Sequence, residues 1–174
     1  MTLRRGRASS ALVIVVGVLA LAGCVGAPRS DGPLRFVSDG PSRVCVPSPD
    51  DGAVAFGVNL PSNLPDGLVV EAVELLHPDG VTVGSVYAMP VTIDHRFMAD
   101  AYPPVAQFSD AWVRSTPALD HELPEAEAVD LVLETRSSGT GSFDGVWVRY
   151  RADGREYVAT WPEGLKVGSG ACDV

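Results

Sequence analysis

Met89, His95 and Met98 fall within ten residues of one another. Thioether and imidazole groups are soft donors, and such a trio suits Cu(I). The competing reading places Met89 and Met98 in core gaps, which flexible Met side chains fill well, and leaves His95 on the surface. A second cluster, Asp120, His121, Glu122, Glu125 and Glu127, offers the hard oxygen donors that Ca²⁺ prefers. Its spacing does not follow an EF-hand loop, so a solvated acidic loop is the simpler expectation.

Nucleophilic chemistry finds less support. The three histidines, His77, His95 and His121, form no His-x-His or His-x-x-x-His pair. There is no Gly-x-Ser-x-Gly elbow and no His-Glu-x-x-His helix, the patterns that mark esterase nucleophiles and zinc peptidases. Ser42, Ser85 and Ser109 pair with a histidine only on paper. No catalytic residue and no cofactor is therefore assigned. Trp147, Tyr157 and Trp161 are expected in the core. On an exposed face, Trp147 and Trp161 would instead form a ligand platform.

The elements that must carry these residues are short and separated by turns. Val44–Val46 reads as a brief strand and Ala53–Leu60 as a longer one, with Val54, Phe56 and Val58 alternating. Leu68–His77 and Val81–Met89 flank Pro78-Asp79-Gly80 and read as a hairpin. Five prolines between 90 and 124 exclude a long regular element there. This span reads as a crossover containing a helical turn opened by Pro104, with Val105, Phe108 and Trp112 on one face. Val129, Leu131 and Leu133 then alternate with Asp130 and Glu134 as the next strand, and Ser137–Ser142 reads as a Gly-rich loop. Gly145–Arg151 and Glu156–Trp161 flank Asp153-Gly154, a type I′ hairpin signal, and Leu165–Val167 would extend the last strand. About seven strands at this spacing predict an all-β, antiparallel β-sandwich, immunoglobulin-like only in a loose sense.

The N-terminus follows another logic. Arg4, Arg5 and Arg7 precede an apolar run from Ala11 to Ala22, and residues 1–24 hold no acidic side chain. That run is too short to span a bilayer, which needs roughly twenty residues, and it has the form of an export signal. Its end, Leu21-Ala22-Gly23-Cys24, resembles the lipobox of bacterial lipoproteins. The resemblance implies a diacylglyceryl group on Cys24 and cleavage before it. Residues 1–23 are then the signal, 24–42 a lipidated Cys with a flexible Gly/Pro/Ser/Asp tether, and 43–174 the β domain. Twelve Arg against one Lys suggest a GC-rich bacterial genome. The pattern around Gly145–Tyr150 resembles small sandwich domains of Gram-positive envelope proteins.

Removing the signal leaves ten basic against 22 acidic side chains, a net charge of −12. That balance argues against nucleic acid, whose phosphates require a basic face. It also suggests that the acyl chains bind the membrane without help from a basic patch. With Cys24 lipidated, Cys45 and Cys172 read as a disulfide in an oxidising compartment. The chain-entropy model values such a long loop closure at ~5 kcal/mol at most. The expected protein is a non-catalytic binding or accessory module, anchored through Cys24 on the extracytoplasmic face of the cell membrane, with an envelope protein as its partner. A metal- or small-solute-binding lipoprotein is the alternative, and an envelope hydrolase the third.

Overall fold

The structure, a computed structural model, describes residues 29–36, 41–49 and 52–168. The export signal, Cys24 and Cys172 lie outside the described residues. Among the described residues ten strands and one helix run in chain order: β1 Ser42–Pro47, β2 Ala53–Asn59, β3 Val69–Leu76, β4 Asp79–Val91, β5 Ala99–Ala101, α1 Val105–Val113, β6 Thr116–Pro117, β7 Ala128–Phe143, β8 Gly145–Ala152, β9 Arg155–Trp161 and β10 Glu163–Gly168. They form two sheets, so the all-β sandwich expected from the turn spacing is the observed architecture.

The larger sheet is organised by β7. One edge of β7 pairs with β4, while the other receives β2 along its first half and β10 near its end. Beyond β10 lies β1, and beyond β2 lies β5. The β1–β10 pair is parallel, a departure from the purely antiparallel expectation. The smaller sheet is β3-β8-β9, antiparallel throughout. Between the sheets, Phe56 packs edge-on against Phe143 at 5.0 Å, within a cluster that includes Val54, Val58, Leu131, Leu133, Val148 and Tyr150.

Two predicted pairings are corrected. β3 and β4 do not form a hairpin: β3 pairs with β8, whereas β4 pairs with β7 in the other sheet. His77 takes φ +49° ahead of Pro78, and the Leu76 carbonyl accepts the Asp144 N–H, so both chains change sheets at one corner. The Asp144 carboxylate binds Arg43 and, at 3.0 Å, His77 Nδ1. The Arg43 guanidinium, with His77, holds this carboxyl below the usual carboxylate range. Nor does Leu165–Val167 extend β9, because Pro162 marks a second change of sheet into β10.

Ser137–Ser142 is not a loop but the end of β7. Between Asp79↔Ser142 and Val81↔Ser137 the partner strand holds three extra residues, a bulge that Gly80 (φ +63°) and Gly139 (φ +131°) accommodate. The Asp153-Gly154 hairpin has φ +50° and +70°, as a type I′ turn requires. Trp161 is core and packs edge-on against Phe36 at 5.1 Å. Trp147 is opposite Thr160, on the other face of the small sheet from Trp161, and is half-buried.

The described part of the expected tether is docked rather than loose. Arg29 adds to the edge of β9: its N–H donates to the Glu156 carbonyl, and its own carbonyl accepts the Val158 N–H at 2.7 Å. Gly32 passes so close to Tyr150 that a Cβ would overlap the phenol hydroxyl. Leu34 is buried, and its N–H donates to Tyr150 Oη at 3.1 Å. Residues 29–36 are thus a strap that closes one flank of the sandwich and covers an exposed strand edge. Leu34→Ala should lower unfolding stability by about 2–4 kcal/mol, the usual cost of a cavity at a buried leucine. Urea denaturation would measure it, and a loss below ~0.5 kcal/mol would mean that the strap does not belong to the core.

Candidate binding face

The outward face of the large sheet is covered as well. Ala55, Gly57 and Asn59 of β2 lie opposite Glu134, Val132 and Asp130 of β7, and Tyr87, Met89 and Val91 of β4 continue the row. Over it lies the connection 92–118. Phe97 and Phe108 meet edge-on at 5.2 Å and form a second core with Ala55, Met89, Val91 and Val132. The order of layers is therefore small sheet, large sheet, connection.

Asp130 holds this third layer down. Its side chain is fully buried. Oδ1 accepts Arg96 Nε at 2.8 Å and Asn59 Nδ2 at 2.9 Å, while Oδ2 accepts the Phe97 N–H at 2.8 Å. Arg96 also donates to the carbonyls of Leu60 and Val129, and Asn59 to that of Phe97. A buried carboxylate is tolerable only when paired and fully hydrogen-bonded, and here it is. Gly57 completes the seat, because a Cβ there would run into the Phe97 carbonyl.

Helix α1 begins after Pro104, as expected, and ends with the Ser115 hydroxyl donating to the Trp112 carbonyl at 2.6 Å. Phe108 and Trp112 face the sheet, the latter packing edge-on against Tyr87 at 4.9 Å and Tyr102 at 5.7 Å. Val105, expected on the same face, is instead 52% exposed. Phe108 departs from helical geometry (φ −122°), so the i, i+3, i+7 row is broken at its middle.

Glu134 lies beside this aromatic group, almost wholly buried. Burial pushes its carboxyl up, but the Arg136 guanidinium and the Ser85 backbone N–H and hydroxyl outweigh that and hold it below the usual range. Burial, together with a hydrogen bond to Tyr87, pushes the Tyr102 phenol well above its ordinary value.

The structure does not gather the sequence-derived donors into one site. Met89 is sealed in the second core, the His95 ring lies 4.5 Å from the Phe108 ring, and Met98 is exposed. Among the described residues no three His, Cys, Asp or Glu side chains are placed to share a metal ion. In the acidic run, Asp120 takes φ +62° and donates its N–H to Val70, and the His121 ring binds the Leu119 carbonyl. These contacts fasten the loop to the open edge of β3. Ser85 serves Glu134, and Ser109 lines an open-sided hollow of about 470 Å³ between α1, residues 90–95 and residues 125–127. Phe108 and Val91 line this hollow together with Asp110, Glu125 and Glu127.

Sequence reasoning missed the exposed apolar set. The large hydrophobic side chains exposed among the described residues are Ile93, Met98, Val105 and Val113, all within 21 residues of this layer. Val105 and Val113 stand at the two ends of α1, on either side of its kink at Phe108, so helical spacing alone does not bring them together. Compared with family models, with curated proteins and with solved structures, the chain matches none.

Glu134 makes the site's stability pH-dependent with a definite sign. Its folded value is depressed, so its contribution is complete above the unfolded carboxylate value, about 4.3, and disappears as pH falls through the folded one. Glu134→Gln should therefore lower the denaturation midpoint at pH 7, and the difference from the parent should shrink at a pH well below about 4.3. An equal difference at both pH values would remove Glu134 from this role.

Proposed function

We propose that this protein is a lipid-anchored, extracytoplasmic binding module that engages an envelope partner through the α1 layer. The observation that carries the reading is the concentration of exposed Ile93, Met98, Val105 and Val113 in one layer, with none of the described large hydrophobics comparably exposed elsewhere. Clustered apolar exposure rimmed by polar groups is the usual mark of an interaction surface. The hollow beside α1 adds polar groups to the same layer: Asp110, Glu125 and Glu127, with Arg114.

The anchor part of the proposal rests on Leu21-Ala22-Gly23-Cys24. No helix among the described residues is long and apolar enough to cross a membrane. For the Cys45–Cys172 bond, the support is proximity along the chain. Ser48 N–H donates to the Gly168 carbonyl, Cys45 is three residues back from Ser48, and Cys172 four beyond Gly168. Four residues reach at most ~14 Å, enough to return to Cys45.

The test is photo-crosslinking in cells. A benzoylphenylalanine placed at Val113 or Val105 should give a discrete crosslinked species, and one at Thr160 on the small sheet should not. No adduct at either α1 position, or equal adducts at Thr160, would overturn the binding face.

A further inference from the structure

The strap changes what the anchor can do. Cys24 is only five residue steps from Arg29, which is already hydrogen-bonded to the edge of β9. Five residues extend at most ~17 Å. If Cys24 is lipidated, as the proposed function requires, the sandwich cannot float freely above the bilayer. Its β9 edge and the β8–β9 hairpin must stay close to the lipid surface.

That same end is where the chain keeps its positive charge. The strap contributes Arg29 and Arg35, and the hairpin Arg149, Arg151 and Arg155, against the carboxylates Asp31, Asp153 and Glu156. Half of the mature protein's ten basic residues are therefore in these two pieces, and the remainder of the mature chain sets five basic groups against 19 acidic ones. Arg149 and Arg151 lean on Glu71 of β3. Arg29, Arg35 and Arg155 are exposed and have no carboxylate partner among the described residues. Trp147, at the far end of β8 from the hairpin and opposite exposed Glu74 of β3, does not belong to this basic end. The acidic layer carrying α1 lies beyond the large sheet.

We infer that the β9 edge and β8–β9 hairpin form a docking surface for anionic phospholipid headgroups, which orients the anchored domain with α1 facing away from the membrane. Net charge hides this surface because it averages a basic end with an acidic one. The negative lipid surface draws arginines most strongly within about a Debye length, ~8 Å at physiological salt, and a link of at most ~17 Å keeps this end within about two such lengths of it. Repulsion of the acidic pole favours the same orientation.

Arginine footprinting tests this on the lipidated protein. It would be reconstituted in vesicles of phosphatidylglycerol and phosphatidylethanolamine, or of phosphatidylcholine alone, and treated with phenylglyoxal. Modification of Arg29 and Arg155, read by mass spectrometry, should be several-fold slower on the anionic vesicles, with Arg114 on the α1 layer unchanged. Raising NaCl to about 0.5 M should abolish the difference. Equal reactivity of Arg29 and Arg155 on both vesicles, or protection of Arg114 to the same extent, would overturn the docking surface. The same spectra report the anchor separately: a Cys24 peptide without diacylglyceryl mass would refute the lipoprotein reading. The surface would then be judged by flotation of the unlipidated protein with anionic vesicles. Flotation lost in the R29E/R155E variant supports it, and no flotation overturns it.

Discussion

A single buried carboxylate determines how this sandwich acquires a third layer. Asp130 stands near the start of β7, on the face turned away from the first core, where an uncompensated charge would cost several kcal/mol. Arg96, Asn59 and the Phe97 N–H satisfy it, and three of those donor groups belong to the connection or to the strand beneath it. Because Arg96 reaches the carbonyls of Leu60 and Val129 as well, residues 96–97 can lie in only one register over β2. Phe97 then fixes Phe108, and Phe108 fixes the helix.

Charge and layering follow one axis. At one end are the strap, the small sheet and five of the ten described basic residues; at the other is α1, with Glu125 and Glu127 beside it. The corner at Asp144 joins them, since β3 and β7 both change sheets there under ties to Arg43 and His77. A strap of composition suited to a flexible linker thus becomes a fixed element of the fold.

The strands were legible because β8 alternates in burial with a period of two, and β2 and β7 alternate large apolar side chains with small or polar ones. The exchange of strands between sheets was not, since Leu76-His77-Pro78 and Trp161-Pro162 signal a turn without stating which sheet follows. The strap escaped notice because Gly32 and Pro33 look like linker residues, although Gly32 is there to let the chain pass Tyr150. Asp130 and Glu134 read as the wet side of an alternating strand. Their burial needs the third layer, and the run Val129 to Leu133, apolar apart from Asp130, was the trace of a strand covered on both faces. Met89 and His95 are neighbours in sequence that the second core separates by burial.

Native-state hydrogen exchange on Asp130→Asn tests most directly whether this carboxylate holds the third layer. Amides of residues 92–113 should lose protection by orders of magnitude, beginning with Phe97, while β8 and β9 keep theirs, as expected for local opening of one unit. Uniform loss across all strands, or unchanged protection at Phe97, would contradict the account.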